Sequence, residues 1–525
     1  MRIRRLAPVL AVGVTATLLP ALTPAHAATA DPLQRFRSQH PAWHRCDTSQ
    51  PAAYQCAAIE VPLDYSHPTR KTIKLAISRM KAGTSGQRHG AILFNPGGPG
   101  GEGLSMPVMM NDMMPKKVRQ QYDLIGFDPR GVGRSTPVTC GLTAAEQNIE
   151  HPYRPETFKR DVTWARTVAE KCRAKNGDVL RYLTTRNTAR DMDVIRAVLA
   201  EKKISYLGYS YGTYLGAVYA QMFPQRTDRF VLDSAVDPAR VWRGMIQVWA
   251  EGTEPAFTRW TKWTAQRNHT YRLGDTPAAV KKTFWDLIAR ADRDPIPYEG
   301  EKLNGDDIRA ALRRQFFSPE SAAKSVVGLK KAADGKPASR NSATPDDATD
   351  PRRSTAPDEQ LPADNSTAVF WSVVCGDTAA WPRDPDQYRR DAIRNKARYP
   401  LYGDFGSNIT PCAFWKKPAE PVTAVHNARL LTVQNQWDSQ TPLASGLGMH
   451  RALKGSRMVY VKGGEGHGVY YGDPRACANR AVNAYLSSGR LPARDVTCEV
   501  SGNQNRGPRK GMVPTPQPAP GVPGF

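Results

Sequence analysis

Beyond residue 27 the sequence has no apolar run near the roughly 20 residues that a bilayer span requires, which argues against stable membrane association of the mature chain. It has no internal repeat, so solenoid and propeller architectures are set aside. It has no metal-ligand spacing among its cysteines and no glycine-rich loop ending in Gly-Lys-Ser/Thr, so neither a zinc site nor a nucleotide-phosphate cradle is expected, and no metal or organic cofactor is called for. Acidic residues are comparatively scarce: 73 Lys and Arg against 49 Asp and Glu give a formal net charge of +24. The basic residues are scattered and form no long run, which reads as a solvated surface and gives no ground for a nucleic-acid partner.

The N-terminus carries Arg2, Arg4 and Arg5, an apolar run over residues 6–22, and Ala25-His26-Ala27 before Ala28. This pattern predicts a signal peptide over residues 1–27 and a secreted protein. Eight cysteines, at Cys46, Cys56, Cys140, Cys172, Cys375, Cys412, Cys477 and Cys498, then read as disulfides formed in an oxidising compartment. Short loops close most easily, so sequential pairing is expected: 46–56, 140–172, 375–412 and 477–498.

Two β-like stretches, residues 59–63 and 73–80, flank Tyr65-Ser66-His67-Pro68 and suit an antiparallel edge. Short apolar runs follow at 91–94, 122–127, 204–207, 230–232, 430–433 and 458–461, with helical patterns at 188–199 and 214–223 between them. Runs of this kind suit strands buried on both faces of a parallel sheet, and their alternation with helices predicts a doubly wound, mostly parallel α/β domain. The alternation lapses over residues 238–420, where tryptophan-rich helical patterns without buried-strand partners predict an inserted helical cap. Within it, 332–365 is polar and expected to be mobile. The core accordingly falls into residues 28–237 and 421–500, and the Pro- and Gly-rich tail, 501–525, is expected to be disordered.

Gly208-Tyr209-Ser210-Tyr211-Gly212 follows the apolar run 204–207 and precedes a helical pattern, which is the setting of a nucleophile elbow. A serine hydroxyl attacks only when a base takes its proton, and the base needs a carboxylate to fix its tautomer. Asp438, just beyond the run 430–433, and His467, in Gly466-His467-Gly468 beyond the run 458–461, supply both in the order Ser, Asp, His of α/β-hydrolases. Backbone N–H groups of Gly98, in Asn95-Pro96-Gly97-Gly98-Pro99-Gly100-Gly101-Glu102-Gly103, and of Tyr211 are the expected oxyanion donors. Asp128 and Arg130, in the segment 128–135, read as loop fasteners.

With these motifs the chain resembles the secreted bacterial tripeptidyl aminopeptidases, relatives of the proline iminopeptidases in the α/β-hydrolase superfamily. The likeness runs from Trp43-His44-Arg45-Cys46 through 61–65, 95–101, 126–135, 208–216, 438–442 and 466–468 to 494–498. It implies a TAP-like C-terminal region in 421–500 and a serine exopeptidase releasing short peptides, typically tripeptides, from peptide or protein N-termini through an acyl-enzyme. It also implies an acidic group that reads the substrate's amino end. Asp377 is the candidate, with Glu102, Glu251 and Glu254 behind it. Glu102 and Val374 depart from the family's usual residues at their positions. An esterase on the same triad, and an inactive homologue that binds cell-wall polymer, are the alternative readings. A monomer is favoured.

Overall fold

The computed structural model describes residues 31–83, 88–336, 361–471, 473 and 475–500. The expected signal peptide, the expected tail and residues 337–360 of the polar cap segment lie outside the described residues. At the two ends of that segment, 332–333 complete the helix Pro319–Ala333, and Asn365 begins the helix Asn365–Gly376. Asp364 fastens the second helix, its carboxylate accepting the Cys140 and Leu142 N–H groups at 2.9 Å each.

Twelve strands are described: β1 (His44–Arg45), β2 (Gln55–Pro62), β3 (Thr72–Met80), β4 (Gly90–Asn95), β5 (Tyr122–Phe127), β6 (Ile204–Tyr209), β7 (Thr227–Asp233), β8 (Ile296–Tyr298), β9 (Glu301–Leu303), β10 (Leu431–Trp437), β11 (Arg457–Glu465) and β12 (Val496–Glu499). Ten of them make one sheet in the order β1-β2-β3-β5-β4-β6-β7-β10-β11-β12. β2 and β3 pair antiparallel, with Ile59 opposite Leu75, as expected for the stretches 59–63 and 73–80, and β3 meets β5 antiparallel. From β5 to β12 the pairing is parallel.

The parallel strands form because their side chains have apolar neighbours above and below. Every residue of β4 and of β6 is buried. Removing a Leu, Ile or Phe side chain from water contributes about 2 kcal/mol, so Ile92, Leu93 and Phe94 alone bind β4 firmly into the core. The chain leaves β4 toward β5 on one side and leaves β6 toward β7 on the other. Loops that diverge in this way open a crevice at the carboxyl ends of neighbouring strands, where doubly wound sheets bind ligands. The pairing of Asn95 with Gly208 sets the glycine loop after β4 beside the turn that carries Ser210.

Between β7 and β10 the chain is mainly helical, beginning with Arg243–Ala265, and its aromatic centre packs Phe257, Trp260, Phe284 and Phe316 together. It also contains the hairpin β8-β9, which the sequence reading did not anticipate. Three contacts press this region onto the carboxyl ends of the sheet. Trp249 Nε1 donates to the Gln440 carbonyl at 2.7 Å, a Cβ on Gly252 would stand 2.5 Å from Pro442, and Arg259 pairs with Glu465. All four disulfides pair sequentially, as expected: 46–56, 140–172, 375–412 and 477–498. Among the described residues no helix is long and apolar enough to cross a membrane.

Candidate active site

Ser210 sits between β6 and the helix Tyr211–Met222 with φ 55° and ψ −122°, a conformation L-residues rarely adopt and hold only when their surroundings enforce it. The flanking glycines make that turn possible. A Cβ on Gly208 would lie 2.6 Å from the Gly212 carbonyl oxygen, and one on Gly212 would lie 2.8 Å from Asn95 Oδ1. The Ser210 N–H donates to the Asp233 carbonyl at 3.1 Å, tying the turn to the end of β7.

The glycine loop lies against this turn. At Gly97, with φ +104°, a Cβ would stand 2.7 Å from the Tyr209 carbonyl oxygen and 2.9 Å from Ser210 Cβ. Gly98 follows at φ +107°, and Gly100 approaches the cap so closely that a Cβ would come within 2.6 Å of the Ser366 carbonyl oxygen.

Asp438 and His467 meet as the sequence order predicts: His467 Nδ1 lies 2.9 Å from Asp438 Oδ1 and 3.0 Å from Oδ2. Asp438 is fully buried and also accepts the Gln440 and Thr441 N–H groups and the Thr441 hydroxyl. Burial opposes its charge, but His467 and these donors outweigh burial and hold its carboxyl below the usual range. Burial likewise opposes a charged His467, yet Asp438 and then Asp233 raise its pKa above the ordinary histidine value. Asn435 Nδ2 donates to the Gly466 and Gly468 carbonyls at 3.0 and 2.9 Å, fixing the loop on both sides of the imidazole. His467 Nε2 is buried and unpartnered among the described residues, which is the atom a serine base must present.

The other expected residues are placed as follows. Asp377 is buried and engaged: it accepts the Thr185 N–H at 2.8 Å, the Thr185 hydroxyl at 2.5 Å and Trp242 Nε1 at 3.0 Å. The Thr185 hydroxyl in turn lies 3.0 Å from Tyr211 Oη. Asp377 therefore braces the helix Thr185–Val198 and the Tyr211 ring, and the structure does not bring it to the Asp438–His467 pair. Glu102 is exposed on the glycine loop, beside buried Asp128, whose carboxyl is pushed up to about 7 by burial and by the Glu102 charge. Glu251 pairs with Arg240, and Glu254 accepts the Leu401 N–H at 2.8 Å. Asp128 and Arg130 are fasteners: the first accepts the Gly103 and Arg134 N–H groups, and the second binds Asp191 through Nε and Nη2.

This is the architecture of a serine hydrolase with the α/β-hydrolase fold. A family model described as "alpha/beta hydrolase fold" matches residues 90–292, and one described as "TAP-like protein" matches 399–498. The chain is 35% identical over 473 residues to the tripeptidyl aminopeptidase of Streptomyces lividans, covering 87% of this chain and 86% of that one. It is 30% identical to the serine protease Hip1 of Mycobacterium tuberculosis (87% and 90% covered) and 31% identical to a protein of the same organism called carboxylesterase B (87% and 89%). The chain belongs to the tripeptidyl aminopeptidase family of the α/β-hydrolase superfamily, and it is a serine peptidase.

Proposed function

We propose that the protein is a secreted exopeptidase that removes short peptides, tripeptides in the first instance, from free N-termini through an acyl-enzyme on Ser210. The observation that carries the mechanism is the strained Ser210 turn at the carboxyl end of β6, with the buried Asp438–His467 pair beyond the carboxyl ends of β10 and β11 in the same sheet. His467 Nε2 takes the Ser210 hydroxyl proton as Oγ attacks the scissile carbonyl, and Asp438 steadies the imidazolium. The Gly98 and Tyr211 N–H groups receive the oxyanion. The C–N bond breaks as His467 gives its proton to the departing amine. Water then attacks the ester with His467 again as base, and the released acid leaves Ser210 free.

Secretion is supported by the leader-like N-terminus and by four disulfides with no free cysteine among the described residues. The preference for tripeptides is supported by the two Streptomyces relatives named for it. Of the carboxylates expected to meet the substrate ammonium, Glu102 is exposed on the glycine loop, and Asp377 is buried against Thr185 and Trp242.

Gly97→Ala probes the contact between glycine loop and elbow. The added methyl would press on Ser210 Cβ and on positive-φ backbone, so kcat is expected to fall by ~10²-fold or more, the usual penalty for a 1 Å misplacement of reacting groups. Unchanged kcat would remove the glycine loop from the mechanism.

The relative called carboxylesterase B favours a second reading, ester hydrolysis on the same triad. A tripeptide chromogenic amide with a free amino terminus, its N-acetyl counterpart and a short acyl ester distinguish the two. The aminopeptidase reading predicts rapid cleavage of the free amide and at least ~10-fold slower cleavage of the acetylated one, as expected when a charged contact is lost. Equal rates on both amides with faster ester cleavage establish the esterase instead. The inactive-homologue reading predicts no turnover of any of the three, and the serine peptidases among the relatives speak against it.

A further inference from the structure

β7 ends in Asp233, a residue the mechanism above does not use. Its carbonyl holds the Ser210 N–H, while its fully buried carboxylate reaches the other side of the site. Both Asp233 oxygens lie 3.0 Å from the Val469 nitrogen, and Oδ2 lies 2.7 Å from that of Tyr470. Ser234, the next residue, accepts the Gly468 N–H at 2.7 Å and donates to Asp233 Oδ1 at 3.1 Å. The three N–H groups that follow His467 are thus caught in sequence by two adjacent residues at the end of one strand.

A buried carboxylate without a cationic partner is a costly way to close a loop, since desolvation disfavours its charge and a neutral acceptor avoids that cost. Here no Lys or Arg bonds to Asp233 among the described residues; its donors are two N–H groups and a hydroxyl. The geometry points to a further role: Asp233 is the positioning residue that couples the nucleophile turn to the histidine loop and supplies His467 with a second negative charge. This inference rests on His467 being the base that serves Ser210.

The electrostatics agree with that placement. Burial pushes the Asp233 carboxyl up to about 6, although the Tyr470 and Val469 N–H groups, the Ser234 hydroxyl and His467 all favour its ionised form. Asp233 in turn adds to the rise of the His467 pKa, after Asp438. The other charged and titratable groups around the imidazole are accounted for. Asp438 comes from the end of β10. Glu465, ahead of His467, is paired with Arg259 of the cap, which also stacks on Trp437 at 4.6 Å. Tyr471 Oη donates to the His467 and Gly468 carbonyls, and Tyr209 Oη donates to that of Tyr470.

Asp233→Asn and Ser234→Ala, each measured per Ser210 site titrated with a fluorophosphonate, test the inference. An amide has one acceptor where the carboxylate uses two, and its NH2 must face an N–H group. Asp233→Asn is therefore expected to lower kcat by ~10- to 100-fold, as displaced catalytic groups do. Because a negative charge beside the base is lost, the acid limb of its kcat/KM profile should move to lower pH. Ser234→Ala releases Gly468 but keeps that charge, so kcat should fall with the acid limb in place. An Asp233→Asn enzyme with wild-type kcat and acid limb per titrated site, and only a lower Tm, overturns the inference. If the amide variant does not fold, unchanged kcat in Ser234→Ala overturns the positioning role by itself. Failure of the underlying reading looks different, because wild-type Ser210 would then not label with the fluorophosphonate.

Discussion

Ser210→Ala is expected to abolish hydrolysis of peptide and ester substrates alike, with kcat falling by about 10⁶-fold, as when a serine hydrolase loses its nucleophile. The fold should survive. The Ser210 side chain has no hydrogen bond that the turn depends on, because the turn is held by main-chain groups: the Ser210 N–H on Asp233 and the Ser210 carbonyl on Thr213. Alanine retains the Cβ that Gly97 accommodates, so the glycine loop need not move. The measurement is kcat on a tripeptide amide together with the thermal unfolding midpoint. A loss confined to activity confirms attack by Ser210, whereas activity within ten-fold of wild type places the chemistry elsewhere.

Asp438→Asn is expected to cost about 10⁴-fold in kcat, for a reason visible in its hydrogen bonds. Oδ1 accepts two N–H groups, from Gln440 and Thr441, so an asparagine keeps its oxygen there and puts NH2 at the Oδ2 position, 2.9 Å from Thr441 Oγ1 and 3.0 Å from His467 Nδ1. With a donor now 3.0 Å from Nδ1, the imidazole is driven toward the tautomer that carries its proton on Nε2. The imidazole then holds a proton where it needs a lone pair. The same substitution removes the largest influence raising the His467 pKa. In the wild type that rise has a definite sign for activity. A base must be neutral to act, so kcat/KM should fall on acidification with an acid limb above the ordinary histidine pKa of 6.5. The residual activity of Asp438→Asn should have its acid limb at lower pH. Full activity in this variant would remove Asp438 from the mechanism.

Much of the fold and of the candidate site is legible in the sequence, for physical reasons. Strands such as β4 and β6 are buried on both faces and so are apolar throughout, and their carboxyl ends mark the loops that carry Ser210, Asp438 and His467. Gly208 and Gly212 were legible because a turn so tight rejects a Cβ. The disulfides followed from short loops. Short or partly exposed elements escaped: β12 buries only Cys498 of its four residues, and β8 and β9 are three residues each. The helix Phe158–Asn176, whose outer face is charged, was also missed. Asp377 illustrates a different limit. The family resemblance makes it the candidate for the substrate's amino end, but its partners Thr185 and Trp242 lie 192 and 135 positions away and only folding brings them together. Asp233 was overlooked because a carboxylate at a strand end has no sequence signature of its own. Its position directly after the apolar run 230–232 is the one available signal.

The most direct test is the product profile, by mass spectrometry, of peptides incubated with the enzyme, each peptide supplied with a free and with an acetylated N-terminus. Successive release of N-terminal tripeptides from the free series, little cleavage of the acetylated series, and no products from either with Ser210→Ala are the expected results. Internal cleavage, or equal cleavage of free and acetylated peptides, would contradict the aminopeptidase reading.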